Sequence, residues 1–342
     1  MIDNFRSQWS NEELVRHIRC SAQLAAVLEV SGWPKPGNVH RMRDHPDTCY
    51  EHFLAGSIAL GSAVEDAAKR GLKASEGRIE ISGIGIGELV KKAVLDVTKS
   101  QNGGNTHLGI CLLFIPLAAA GAKTYNETRK ICPITLQDNV GIIMRSSTPA
   151  DAAEVYDAIK FVGSLNKLGK IDPKGAPDLY DGNAKMKLFK DRISLFDVMV
   201  KSSSYDTVAR ELASCMQISF GVGYKTLMET FNCSGNINVA TVHTFLTILS
   251  GYPDTFIARK IGLKKEANVI KAVEIGVKET IWISKTSRTI LRNGGLTTSK
   301  GRQLLSEFDK KLQDLGKEYS PGTTADLTAS SLMISLLEGL RY

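Results

Sequence analysis

The chain has 342 residues, of which 43% are hydrophobic and 23% charged, and a formal net charge of +7. That length buries a large core without disulfides or a structural metal, and the composition excludes a disordered or fibrous chain. The positive balance favours anionic partners such as nucleotides and phosphorylated coenzymes. No long Lys/Arg block or aromatic RNA-binding motif accompanies it, so nucleic acid is disfavoured as a partner.

The N-terminal stretch to Glu13 is charged and has no apolar h-region, which argues against a signal peptide. Ser10 and Glu13 form a capping-box pair, in which each side chain reaches the other residue's backbone N–H. Leu14, Val15, Ile18, Ala22, Ala25 and Ala26 then recur at spacings of three and four, the stripe of an amphipathic helix. A Pro- and Gly-rich loop runs from Ser31 to about Thr48. Helical patterns resume over Glu51–Arg70 and Glu88–Gln101. Thr106–Ala120 is apolar on nearly every side and reads as a central buried helix kinked by Pro116.

Its longest apolar run, Ile110 to Ala120, is too short to span a bilayer, so no membrane partner is expected and the cytoplasm is the expected location. Thr148, Pro149 and Asp151 make a strong helix start. Residues 163–182 lack periodicity and are expected to form an irregular loop. Further helices are predicted near Ser204–Phe231, Asn236–Ser250, Lys265–Lys285, Thr298–Leu315 and Thr324–Leu340. Strand-like alternation is confined to short cases such as Ile79–Ile81. The expectation is an all-α protein, one large helical domain over residues 1–342. The six cysteines are scattered without a C-x-x-C pair, which fits a reducing compartment and no zinc ribbon.

Polar residues concentrate at four junctions. In Pro34-Lys35-Pro36-Gly37-Asn38-Val39-His40, two prolines stiffen the backbone and Gly37 permits a tight bend. Lys35, Asn38 and His40 would suit polyphosphate oxygens or the metal they carry, although a rigid helix connection needs no more than this. Gly103-Gly104-Asn105-Thr106-His107-Leu108-Gly109 feeds into the apolar helix, whose free N–H groups favour an anion. His107 there suits proton transfer, while Asn105 or Thr106 would equally serve as a plain N-cap. Pro321-Gly322 with Asp326 opens the last helix, and Asp326 reads either as a first-turn acid or as a catalytic or metal-binding one. Asp254, Arg259 and Lys260 suit a triphosphate with Mg2+, or a surface ion-pair set. Gly83-x-Gly85-x-Gly87 lacks a strand–turn–helix context and reads as a loop before a helix. His17, His45, His52 and His243 have no metal-ligand spacing. No P-loop and no nucleophile elbow is present.

Taken together, Lys35-Pro36-Gly37-x-Val39, Asn105-Thr106-His107-x-Gly109, Pro321-Gly322 with Ala325-Asp326, Gly87-Glu88 and Asp254-Thr255 with Arg259 resemble the triphosphoribosyl-dephospho-CoA synthase family. The resemblance runs from about residue 25 to the C-terminus and points to a divergent member. It implies an all-helical transferase that takes ATP and 3′-dephospho-CoA, joins ribose C1 of ATP to an acceptor hydroxyl and releases adenine. The product would be a prosthetic-group precursor. With that resemblance, Lys35 and Arg259 are expected on the triphosphate, with Gly37, Asn38, Thr106 and Lys260 also on the nucleotide. Asp326 and Asp254 are expected to hold Mg2+ or stabilise developing positive charge. His107 is the expected general base, and Asn105 orients the sugar.

Two departures stand out. His40 replaces an Asp of the family, and the family's central Arg-Gly-Glu segment is absent, with residues 167–181 reading KLGKIDPKGAPDLYD instead. Alternatives are therefore ribosyl transfer to another coenzyme, such as a tetrahydromethanopterin-like pterin, hydrolysis of the nucleotide, or nucleotide or RNA binding without catalysis. The partners expected are nucleotide and coenzyme-like small molecules, and a homodimer is compatible with the sequence.

Overall fold

A computed structural model of the chain describes residues 9–163 and 176–342, so most of the irregular 163–182 stretch lies outside the described residues. The first half comprises α1 (Asn11–Ser31), α2 (Tyr50–Ala59), α3 (Gly61–Ser75), α4 (Ile86–Ser100), α5 (Leu108–Thr128), α6 (Pro133–Arg145) and α7 (Pro149–Val162). The second comprises α8 (Ala184–Lys190), α9 (Leu195–Ser202), α10 (Thr207–Ala213), α11 (Lys225–Ser234), α12 (Ile237–Gly251), α13 (Thr255–Gly262), α14 (Val269–Arg292), α15 (Ser299–Leu315) and α16 (Gly322–Glu338). Among the described residues there is no strand, only isolated bridges between His40 and Arg43 and between His45 and Thr48. The protein is all-α, as its periodicity predicts.

Local chemistry explains several helix starts. Ser10 and Glu13 form the expected capping box, and so do Thr148 and Asp151. The apolar stripe from Leu14 to Ala26 is buried throughout. α5 is the interior rod, with every residue from Ile110 to Tyr125 buried, and Pro116 lies within one uninterrupted helix. Its length and composition would suffice to cross a membrane, but 89% of its apolar window is buried inside the protein.

α16 lies against α1 and α5 and is buried almost end to end despite its Thr and Ser residues. Several of those hydroxyls return to their own helix: Thr328 donates to the Thr324 carbonyl at 2.8 Å, Ser331 to Leu327 at 2.8 Å and Ser335 to Ser331 at 3.0 Å. That pattern satisfies the polar groups without a partner helix, so α16 can sit in an apolar core. A second, smaller core of Phe245, Leu249, Ile257, Ile283, Phe308 and Leu312 joins α12–α15 and sets α13 and α15 beside the start of α16.

Three expectations change. The continuous helix over Glu51–Arg70 breaks at Leu60 into α2 and α3. Ser204–Phe231 becomes α10, a π-helical segment Ser219–Tyr224 and α11. The buried Glu211 carboxylate accounts for that interruption: it accepts from the backbone N–H groups of Ile218 at 2.7 Å and Ser219 at 2.8 Å, which takes those donors out of a regular ladder. Ile79–Ile81 is not a strand, because a 3-10 turn starts at Ile81.

Candidate functional site

The N-termini of α5 and α16 meet face to face. A Cβ on Gly109 would overlap the Asp326 carboxylate, so only glycine lets the first turn of α5 close on that side chain. The Ile110 N–H supports the Asp326 carboxylate. Asn105 receives the Leu108 N–H on Oδ1 at 3.1 Å and caps α5 from an exposed position. Asp326 itself stays partly exposed. Its pKa is raised well above the usual carboxylate range, first by burial and then by the negative fields of Glu29, Asp254 and Asp206.

His107 occupies a different environment. It is only 1% exposed, and burial pushes its pKa down to about 3, so the ring is neutral at physiological pH. Its Nε2 lies 3.2 Å from Ser57 Oγ and its Nδ1 2.7 Å from Thr106 Oγ1. Ser57 spends its proton on the Phe53 carbonyl at 2.7 Å, so Ser57 Oγ must accept from His107 Nε2–H. The free lone pair on Nδ1 then accepts from the Thr106 hydroxyl. Both ring nitrogens are thereby engaged within the protein. The side chain fastens the 105–107 turn to α2.

The Pro34–His40 loop turns inward as well. Lys35 is fully buried; its ammonium donates to the Glu29 carbonyl at 2.9 Å and forms a short ion pair with the Glu29 carboxylate. Burial pushes the Lys35 pKa down and that of Glu29 up, while each partner's charge opposes the shift. The field of Asp326 also reaches Lys35. Expected to face a triphosphate, Lys35 is therefore a sealed counter-charge beneath Asp326. Gly37 adopts φ +70°, a conformation that disfavours any side chain, and its N–H donates to Asp309 Oδ1 at 3.0 Å. Asn38 Nδ2 donates to the Pro321 carbonyl at 3.3 Å, which ties the loop to the start of α16. His40 Nε2 sits 3.2 Å from Asp309 Oδ2.

At the third junction, Asp254 is buried and caps α13. Its Oδ1 accepts from the N–H groups of Phe256 and Ile257, both at 3.0 Å. Its Oδ2 accepts from the Thr324 N–H and hydroxyl, both at 2.8 Å. Four donors fill the carboxylate, so the oxygens expected to meet a metal hold α13 to α16 instead. Arg259 and Lys260 follow one turn later and keep some exposure. Arg259 lies 3.3 Å from Asp206 Oδ2, and the field of its guanidinium reaches Tyr180 and Tyr205. Lys260 stands over the Phe256 ring at 3.7 Å; burial pushes its pKa down to about 8, with Arg259 and Lys317 acting in the same direction.

All four junctions thus converge on the α16 N-terminus, and they divide into an outer and an inner set. Asn105, Asp326, Arg259 and Lys260 retain exposure, whereas Lys35, Asn38, His107 and Asp254 are buried and hold the others in place. Sequence reasoning misses Glu29, Asp206 and Asp309. Glu29 has a legible signature, because an acid three residues past Ala26 falls on the buried face of the α1 stripe. Asp206 and Asp309 carry none, since a single acid on a helix start or an amphipathic face is commonplace. No group of three or more His, Cys, Asp or Glu side chains that could hold a metal occurs among the described residues.

The model of the CitG family, ATP:dephospho-CoA triphosphoribosyl transferase, matches residues 15–342. A crystal structure from Archaeoglobus fulgidus, provisionally assigned as a triphosphoribosyl-dephospho-CoA synthase, is similar with a TM-score of 0.54 at 24% identity. The match covers 82% of this chain and 99% of that one. At that identity the likeness speaks for a shared fold.

Proposed function

The chain belongs to the ATP:dephospho-CoA triphosphoribosyl transferase family, a family of transferases, and from that premise we propose that it breaks the adenine–ribose bond of ATP and moves the triphosphoribosyl group to a hydroxyl of 3′-dephospho-CoA. The bond between ribose C1 and adenine nitrogen breaks, a bond from C1 to the acceptor oxygen forms, the hydroxyl proton passes to an enzyme base, and adenine takes up a proton as it leaves.

The observation that carries this reading is Asp326: a partly exposed carboxylate with a raised pKa, on the helix whose start is tied through Asp254 and Thr324 to the helix that bears Arg259 and Lys260. In this reading Asp326 is the base, because a carboxylate with a raised pKa accepts a proton more effectively than an ordinary one. Its residual negative charge, reinforced by Glu29, Asp254 and Asp206, also favours the positive charge that develops on the sugar ring. Arg259 and Lys260 receive the triphosphate, and Asn105 with Thr106 lies along the sugar. His107, Lys35, Asn38, Gly37 and Asp254 position these groups from behind.

Mg2+ would arrive with the triphosphate. Asp326 offers it carboxylate oxygens, and phosphates and water complete the shell, which is how this ion is commonly held. Bound there, it would neutralise phosphate charge and orient the sugar.

The test incubates the purified chain with ATP and Mg2+, with and without 3′-dephospho-CoA, and follows free adenine by chromatography. Adenine formed only with the acceptor is the expected result. Adenine formed equally in both tubes would replace the transferase with a nucleotide hydrolase. No adenine in either tube sinks this donor–acceptor pair. The missing Arg-Gly-Glu segment makes the acceptor the part most open to that result, and residues 167–175 of it lie outside the described residues.

A further inference from the structure

Beyond Lys260, a basic cavity extends outside the residues assigned above to the reaction. Arg43, His45 and Lys317 line an open cavity of about 550 Å3, together with Asp47 and Gln313. Lys260 borders it: its ammonium donates to the Lys317 carbonyl at 3.2 Å, and the fields of Lys260, Lys317 and Arg43 all reach His45. Two acids also line it, of which one is paired with a cation. Asp47 pairs with Lys317, and Asp44 accepts the Tyr50 N–H at 2.8 Å. Among the described residues Arg43 has no carboxylate within ion-pair distance.

His45 supplies the independent observation. Its Nε2 is shielded from solvent and has no hydrogen-bond partner. Buried ring nitrogens nearly always have one, so this atom marks unfilled hydrogen-bonding capacity. Burial and the surrounding cations push the His45 pKa down, which leaves a neutral ring able to donate one N–H.

The cavity also has a defined relation to the reaction centre. The Thr48 hydroxyl donates to the Gly103 carbonyl at 2.9 Å, which ties the 43–48 segment to the loop that presents Asn105 and Thr106. On its other side, Lys260 stands on the Phe256 ring, which in turn packs on Gly322 at the start of α16. Asp326 is four residues further on, about 6 Å along the helix axis.

We propose that this cavity is a polyphosphate subsite, in which Arg43, Lys317 and Lys260 hold the phosphate chain of one of the two nucleotide substrates beside the unsatisfied ring of His45. The identity of the ligand rests on the transferase reading above; the existence of an anion site does not. Three cations on a cavity of this size match a diphosphate or triphosphate better than a single carboxylate.

The first probe is inorganic pyrophosphate, titrated calorimetrically into the full chain and into Arg43→Gln/Lys317→Gln. Both replaced side chains are exposed, and an unchanged thermal melt confirms that the variant folds. The expected result is pyrophosphate binding that weakens by about tenfold or more in the double variant. ATP and dephospho-CoA are then titrated separately; the one that weakens in the variant is the occupant, and either result supports the subsite. No pyrophosphate binding to the parent chain, or equal binding to both chains, overturns the proposal. So does a loss confined to pyrophosphate with both nucleotides unaffected. A chain that binds pyrophosphate in this way but releases no adenine keeps the anion site and loses the transferase reading, so the two failures are separable.

Discussion

Lys35 and Lys260 each bring an ammonium to the same helix N-terminus, and their surroundings differ in one respect. Around Lys35 the charge is compensated from within: Glu29 holds it directly, Asp326 adds its field, and no surface is left for a ligand. Around Lys260 the compensation is incomplete. Asp254 and Glu318 attract it, but all four of the Asp254 acceptor sites are occupied and Glu318 pairs with Lys264, while Arg259 and Lys317 repel it. Burial lowers both pKa values, yet only the second lysine has a charge deficit that an incoming anion would relieve. A basic residue in a distinctive motif can therefore be structural, while a plainer one a turn beyond a helix cap keeps some exposure.

The sharpest way to break this comparison is to change the acid between the two regions. Asp326→Asn should lower kcat by about 10^2–10^4-fold, the usual range for losing a proton-transfer group. Calorimetric affinity for ATP without Mg2+ should change little, because Arg259 and Lys260 take the phosphates in this reading. A variant that keeps half its activity would remove Asp326 from the chemistry. Next in size is the inner lysine. Lys35→Met leaves Glu29 buried and unpaired, and urea unfolding should show a loss of about 3–5 kcal/mol. The double variant Glu29→Gln/Lys35→Met should recover most of it, and additive losses would show that the two side chains act separately.

Gly109→Ala probes the contact between the two helix starts. The added methyl displaces the Asp326 carboxylate, so kcat should fall by about tenfold or more with a stability cost of about 1–3 kcal/mol. The smallest effect is a pH dependence at the outer lysine. With a pKa lowered to about 8, Lys260 is cationic below that pH and neutral above it. KM for ATP should therefore rise about tenfold as the pH passes from 7 to 9. Bound phosphate stabilises the ammonium, so kcat should titrate at higher pH than kcat/KM. Lys260→Arg, which stays charged, should flatten the KM profile, and an identical profile in that variant would point to another group.

Local pattern carries much of this molecule. The Ser10–Glu13 and Thr148–Asp151 caps, the α1 stripe and the uniformly apolar α5 depend on neighbours three or four residues apart, and such spacing is written directly into a sequence. The same holds for the family, because its motifs are short and contiguous. Where tertiary contacts compete, the pattern misleads: a carboxylate from α10 reorganises the helix at Ser219, and Leu60 divides what periodicity reads as one helix.

The sequence by itself determined that the chain is all-α, which family it belongs to and which four junctions gather its polar residues. Only the tertiary structure decided which members of those junctions face outward. Asp254 meets Thr324 across 70 residues, Gly37 meets Asp309 across 272, and His107 meets Ser57 across 50. Whether a polar side chain is spent on such a partner or left for a ligand depends on where the helices pack. No spacing along the chain records that, because burial fixes partners by proximity in space while sequence patterns report only the geometry of a single helix.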